Sequence, residues 1–67
     1  MSALKNLRNL RKERGLTQEW LAKQAGLTQP YVAILEGRYS RNPSLSTVRR
    51  IAAALGVTIS ELVGEIP

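Results

Sequence analysis

The sequence predicts an all-α fold in which five short helices form a single domain over residues 1–67. Three features support this prediction: apolar residues recur at helical spacing, Ser or Thr repeatedly precedes them, and Gly repeatedly follows them. No stretch alternates apolar and polar residues in the way that is typical of strands. The chain contains no Cys, so well-capped helices rather than disulfides must stabilise its small core.

The first helix is predicted from about residue 3 to residue 14, where leucines recur at three-residue steps between charged side chains. Ser2 is its candidate N-cap, and Gly15 would end it.

The stretch LTQ occurs at residues 16–18 and again at residues 27–29, which indicates that a helix begins at each copy. Thr17 and Thr28 are good N-caps, because a threonine hydroxyl can accept a hydrogen bond from a free amide in the first turn. The second helix is therefore predicted from Gln18 to about Ala25, and the third from Gln29 to about Glu36. Gly26 would end the second helix in the left-handed conformation.

Two more helices follow the polar loop at residues 37–43. Either Ser44 or Ser46 can cap a fourth helix that continues to Leu55. A short fifth helix is predicted to end at Gly64, with Thr58 as its cap and Ser60 as the competing candidate.

The composition restricts the possible functions. The chain has no His, no Asp and no Cys, which excludes zinc sites, Ser-His-Asp triads and Cys nucleophiles, so we expect neither an enzyme nor a cofactor. Residues 1–50 hold all ten Lys and Arg and only three of the five Glu, so one side of the molecule can be basic enough to bind a polyanion. No apolar run suits a membrane span or signal peptide, and we expect a cytoplasmic protein without a membrane partner.

The second and third helices could form a plain helical hairpin, but three details indicate a binding function. Ala22 and Ala25 are small enough for the two helices to cross closely around Gly26. The third helix buries a narrow stripe, mainly Val32 and Leu35, and leaves other side chains facing outward. The loop that follows is rich in groups suited to phosphate: Arg38, Tyr39, Arg41 and Asn42.

From Leu7 to about Val63 the chain resembles the Cro/C1-type (XRE) helix-turn-helix family of phage repressors and bacterial regulators. The resemblance rests on RKERGLTQ, LA, AGL, LEGR, RNPS and ALGV at these spacings. It implies a five-helix, lambda-repressor-like DNA-binding domain with the helix-turn-helix at helices 2 and 3. The third helix, at about residues 28–36, would then enter the major groove.

The resemblance also implies the role of individual residues. Four positions would face the bases: Gln29, Pro30, Ala33 and Ile34. The amide of Gln29 suits the adenine edge, whereas Pro30 and Ala33 offer only apolar contact, so direct readout is expected to be sparse. Six positions would contact phosphates: Gln18, Thr28, Tyr31, Arg38, Arg41 and Asn42. For Tyr31, packing against the second helix is an equal alternative, and Gln18 and Gln29 could otherwise be plain solvated residues.

A further implication of the resemblance is a partly buried salt bridge between Arg11 and Glu36, which would tie the first helix to the third. Trp20 stands where the family commonly has a polar residue, and we expect it half-buried on the flank of the second helix. A partner-binding role for Trp20 is the alternative.

Taken together, the sequence predicts a sequence-specific regulator of transcription that binds double-stranded DNA as a homodimer on a palindromic operator. A chain of this length leaves no room for a ligand domain, so we expect no small-molecule ligand. The alternative is a protein-interaction module, such as an antitoxin-type subunit, that uses Trp20 and the apolar C-terminal segment.

The C-terminal segment is the predicted dimer interface. Val57, Ile59 and Leu62 are expected to face inward, which leaves Val63 and Ile66 for a partner. A monomer whose tail completes the core is the alternative.

Overall fold

The computed structural model describes residues 4–37 and 42–64, and over these ranges it contains five α-helices and no strand. The predicted all-α fold is therefore confirmed. The helices are α1 (Leu7–Glu13), α2 (Gln18–Ala25), α3 (Gln29–Glu36), α4 (Leu45–Leu55) and α5 (Ile59–Val63). None of these described helices is long and apolar enough to cross a membrane.

The two LTQ copies do begin helices, as predicted. The hydroxyl of Thr17 accepts a hydrogen bond from the backbone N–H of Trp20 at 2.9 Å, and that of Thr28 accepts one from Tyr31 at 3.3 Å. Each bond satisfies an amide that has no partner within its helix.

The structure also decides between the competing caps of α4 and α5. Ser44 caps α4, because its hydroxyl accepts from the backbone N–H of Thr47 at 3.1 Å, whereas Ser46 lies inside the helix. Thr58 caps α5 in a reciprocal arrangement: its hydroxyl accepts from the Glu61 N–H, and its own N–H donates to the Glu61 carboxylate, each at 3.1 Å.

The predicted start of the first helix was wrong. Residues 4–6 form a turn, and α1 begins at Leu7. The reason is tertiary: the Asn6 backbone N–H donates to the carbonyl of Leu62 at 3.1 Å, and its side-chain amide donates to the carbonyl of Glu61 at 2.9 Å. These bonds fasten the chain to the end of α5 instead of continuing the helix. Ser2, the candidate cap, lies outside the described residues.

The core lies where α2 packs against both α3 and α4, with α1 and α5 closing it. Ala22 and Ala25 are buried in it, in keeping with the predicted close approach of α2. The large side chains with almost no exposed surface come from all five helices and the turn before them: Leu4, Leu7, Leu21, Val32, Leu35, Ile51 and Leu62. This shared core fixes the angle between α2 and α3.

In the fifth helix, the residues that face the core differ in part from those predicted. Leu62 is fully buried and Val57 packs partly buried against the core, as expected, but 36% of Ile59 is exposed. Val63, which was expected to be free for a partner, is partly buried and packs against the core. The docking of α5 against the core, which buries Leu62 and packs Val63 against it, leaves Ile59 exposed. Ile66 lies outside the described residues.

Candidate nucleic-acid interface

The turn between α2 and α3 is built around Gly26. Its φ of +70° is a left-handed conformation that side chains with a Cβ rarely adopt, and it lets the Leu27 N–H donate to the Ala22 carbonyl at 2.8 Å. A Cβ at this position would also lie 3.3 Å from the guanidinium of Arg50. The left-handed backbone conformation is therefore the main reason that this position favours glycine, since the exposed side chain of Arg50 can move aside.

One face of α3 is buried and the opposite face is open. Val32 and Leu35 have no exposed surface, as predicted. The four positions that the resemblance implies for base reading share the other face, because they are spaced as i, i+3 and i+4 neighbours. Pro30 and Ile34 are exposed, Ile34 by 54%, while Gln29 and Ala33 are partly exposed. The structure thus places all four together on an accessible surface of α3.

Gln29 is held by a chain of side-chain hydrogen bonds. Its amide nitrogen donates to the amide oxygen of Gln18 at 2.7 Å, and the amide nitrogen of Gln18 donates to the Glu36 carboxylate at 3.0 Å. That carboxylate accepts two bonds from Arg11, at 2.6 Å to Nε and 2.9 Å to a terminal nitrogen. We call these four residues the Arg11–Glu36–Gln18–Gln29 relay.

The ion pair at the base of the relay is well enclosed. Only 10% of the Arg11 side chain and 4% of the Glu36 side chain are exposed to solvent. A third bond, from Arg11 to the Leu16 carbonyl at 2.7 Å, ties the same guanidinium to the segment before α2. One arginine therefore links α1 to α3 and to the start of the helix-turn-helix.

The carboxylate of Glu36 stays ionised at neutral pH. Burial is the largest influence on its pKa and raises it, but the hydrogen bonds from Arg11 and Gln18, with the positive charges of Arg11 and Arg8, outweigh burial and hold that pKa below its ordinary value. The bond to Glu36 raises the pKa of Arg11, so both partners remain charged. A fixed ion pair, with an accepting carboxylate, thus lies behind the open face of α3.

The residues expected at phosphates are only partly described. Asn42 is exposed, and Thr28 caps α3 with its hydroxyl while its side chain stays exposed. Tyr31 packs, partly buried, against the core. Arg38 and Arg41 lie outside the described residues.

Two features of the site were not predicted from the sequence. The hydrogen bond between Gln18 and Gln29 was missed, although both glutamines directly follow a capping threonine and so stand at matching positions of adjacent helices. The approach of Arg50 to Gly26 was missed as well, because the sequence places these residues far apart.

Trp20, expected to be half-buried, keeps 40% of its surface exposed.

Comparison with known proteins identifies the family. The model of a helix-turn-helix family matches residues 7–62, nearly the whole described chain. The chain belongs to this family. It is the Cro/C1-type family that the sequence resembles.

Two solved structures share the helix-turn-helix fold. The restriction-modification controller protein C.AhdI of Aeromonas hydrophila is 45% identical, with a TM-score of 0.77 over 84% of this chain and 83% of that one. The N-terminal DNA-binding domain of SinR from Bacillus subtilis is 30% identical, with a TM-score of 0.78 over 88% of this chain and 86% of that one.

Among helix-turn-helix relatives of known sequence, the immunity repressor protein of Bacillus phage phi105 is 46% identical over 65 residues. That alignment covers 97% of this chain but only 44% of the repressor, so the chain spans less than half of that relative's length.

Proposed function

We propose that this protein is a transcriptional regulator that binds a specific sequence of double-stranded DNA through α3. The observation that carries the proposal is the open face of α3, on which Gln29 is held by the relay while Pro30, Ala33 and Ile34 stand beside it. A short helix with one buried and one open face can dock in the major groove. The relatives add support, since one is named an immunity repressor and another a DNA-binding domain.

The proposed contacts divide between bases and backbone. Gln29 reads one base pair by hydrogen bonding, and its three neighbours on α3 make apolar contacts such as those to thymine methyl groups. Phosphates are contacted by Gln18, Thr28, Tyr31, Arg38, Arg41 and Asn42, which fix the position of α3 on the duplex. Gln18 lies in the first turn of α2, where free N–H groups also favour an anion.

The protein acts, in this proposal, as a two-fold dimer on a palindromic operator. One chain offers a single reading helix of eight residues, which contacts few base pairs. Two chains related by two-fold symmetry would place their helices in successive major grooves, about 34 Å apart. The exposed Ile59 and the partly buried Val63 make α5 the candidate interface, with Ile66 from the segment that follows.

The test begins with selection of bound sequences from a random duplex pool, followed by titration of the selected duplex and of a scrambled one. We expect tighter binding to the selected duplex, and sedimentation should find two chains on it. Affinity should fall roughly 10³- to 10⁵-fold between about 50 and 200 mM salt, as expected for 6–10 neutralised phosphates.

Equal affinity for both duplexes, or affinity that does not change with salt, would contradict DNA recognition and favour the protein-interaction module. One chain per selected duplex would contradict only the dimer. Ile59→Glu tests the α5 interface: it should abolish cooperative binding while leaving the helical content unchanged, because Ile59 lies outside the core.

A further inference from the structure

The Arg11–Glu36–Gln18–Gln29 relay has a chemical direction. An ionised carboxylate only accepts hydrogen bonds, whereas a glutamine amide has one accepting end and one donating end. Glu36 therefore requires Gln18 to turn its NH₂ group inward, as the 3.0 Å bond shows. The oxygen of Gln18 then faces Gln29 and accepts from the Gln29 NH₂ group at 2.7 Å.

The direction of the relay decides what Gln29 offers to DNA. One of its two amide hydrogens is used in the bond to Gln18, so its oxygen and its second hydrogen remain for a ligand. One acceptor beside one donor is complementary to the adenine edge in the major groove, which presents the N6 donor and the N7 acceptor. Guanine presents two acceptors there and is a poor match.

We propose that Glu36 is a positioning residue for base recognition: it sets, through Gln18, which end of the Gln29 amide faces the DNA, and so selects adenine over guanine. The inference rests on the proposed function, because it assigns a base to the same site. It gives the Arg11–Glu36 ion pair a part in specificity in addition to its part in stability.

Glu36→Gln tests the direction. The new amide must place its NH₂ group at one of the two former oxygen positions. At the position 2.6 Å from Arg11 Nε it would set two donors against each other at the shortest contact of the pair. At the other position it meets a terminal nitrogen of Arg11 at 2.9 Å, a longer contact than the first, and it also faces Gln18, which can turn over and accept from it. Gln29 must then turn over too and present its NH₂ group to the DNA.

The expected result is a change of base preference at one position per half-site. Wild-type protein should prefer adenine over guanine there by about tenfold, and Glu36→Gln should lose or reverse that preference. Preference at all other positions should stay the same, because no other reading side chain is in the relay. The measurement is competition between duplexes that differ only at that base pair.

Two further variants separate direction from stability. Arg11→Lys weakens the ion pair but keeps the accepting carboxylate, so the folded protein should keep the preference for adenine. Gln18→Met leaves the ion pair intact and frees the Gln29 amide to turn either way, so discrimination between adenine and guanine should narrow. In the Gln18→Met background, Glu36→Gln should have no further effect on base preference, since the path between the two residues is broken.

A full preference for adenine in folded Glu36→Gln overturns the inference. If that variant does not fold, Gln18→Met decides, and an undiminished preference for adenine in it overturns the inference as well. A loss of preference in Arg11→Lys equal to that in Glu36→Gln would assign the effect to the loosened fold and also overturn it.

A measurement without DNA distinguishes failure of the relay from failure of the proposed function. In ¹⁵N-labelled protein, the side-chain amide resonances of Gln29 should shift in Glu36→Gln and stay in place in Arg11→Lys. Unshifted resonances in Glu36→Gln overturn the relay whatever the protein binds. Shifted resonances in a protein without base preference support the relay and contradict DNA recognition.

Discussion

At the scale of single residues, the open face of α3 joins one oriented polar side chain to three apolar ones. Gln29 differs from its neighbours because it is anchored by a hydrogen bond to another helix, whereas Pro30, Ala33 and Ile34 have no polar side-chain group. An anchored amide loses less conformational entropy on binding than a free one. Specificity should therefore depend on Gln29 more than on the rest of that face.

Gln29→Ala should weaken binding to the selected duplex by about 1–3 kcal/mol and remove the preference at one base pair of each half-site. Asn42→Ala, a phosphate contact in the proposal, is the matched control and should weaken selected and scrambled duplexes alike. Titration of both variants against both duplexes measures the difference. Equal losses on the two duplexes for Gln29→Ala would show that it does not read a base.

Removing the buried carboxylate should destabilise the fold strongly. In Glu36→Ala, the buried guanidinium of Arg11 loses its ion-pair partner. Removing one partner of a buried ion pair lowers the free energy of unfolding by about 3–5 kcal/mol, which is a large share of the stability of a small domain. Glu13→Ala, at an exposed position of α1, should change the free energy of unfolding by less than about 0.5 kcal/mol. Urea unfolding followed by circular dichroism compares them, and equal midpoints would refute a stabilising ion pair.

At the scale of secondary structure, the helices are positioned by their caps. Four of the five are preceded by a Ser or Thr whose hydroxyl accepts a hydrogen bond from a first-turn N–H. Three of these four, α2, α4 and α5, are followed directly by a glycine in the left-handed conformation. The exception is α1, whose N-cap residue Asn6 makes no side-chain hydrogen bond to the first turn. Its start is set by the hydrogen bonds of Asn6 to the end of α5, so this helix depends on the tertiary fold more than the others.

The two serines at the start of α4 provide a direct test of capping. Ser44→Ala removes the hydroxyl that accepts from Thr47 and should cost about 0.5–2 kcal/mol. Ser46→Ala replaces an exposed residue inside the helix by a better helix former and should leave stability unchanged or slightly higher. Urea unfolding should therefore give a lower free energy of unfolding for Ser44→Ala than for Ser46→Ala. A larger loss of stability in Ser46→Ala would mean that the helix begins elsewhere.

At the scale of the whole molecule, ionised carboxylates link stability to pH. The pKa of Glu36 lies below its ordinary value of 4.5 for the reasons given above, and that of Glu61 lies below it because the backbone N–H and hydroxyl of Thr58 bond to its carboxylate. A carboxylate with a lowered pKa in the folded state takes up its proton first in the unfolded state. Its contribution to the free energy of unfolding is therefore fully present above about pH 4.5, and it is lost as the pH falls through the pKa that the group has in the folded state.

The free energy of unfolding should accordingly be constant near neutral pH and decrease below about pH 4.5. Glu36→Gln cannot titrate at this position, so its stability, although lower at neutral pH, should fall less steeply with acid. Gln24→Ala, an exposed control without a titrating group, should follow the wild-type slope. Urea titrations at several pH values measure these slopes, and parallel curves for wild type and Glu36→Gln would contradict the role assigned to Glu36.

The sequence by itself determined the class of the fold and most of the helix boundaries. Thr17, Thr28 and the glycine after α2 act through bonds and backbone angles within a few residues, so their effect can be inferred from neighbours in the chain. The open face of α3 was predicted for the same reason, since helical periodicity alone separates Val32 and Leu35 from Gln29 and Pro30. The family resemblance added the pairing of Arg11 with Glu36, which spacing alone does not give.

The tertiary structure decided what depends on residues distant in the chain. Only the packing of α5 against the turn at residues 4–6 moved the start of α1 to Leu7, and only the docking angle of α5 left Ile59 exposed and turned Val63 to the core. Likewise, Gln18 reaches Gln29 because α2 and α3 pack against each other. Local patterns place a glutamine at the start of each helix, but the distance between them is set by the shared core.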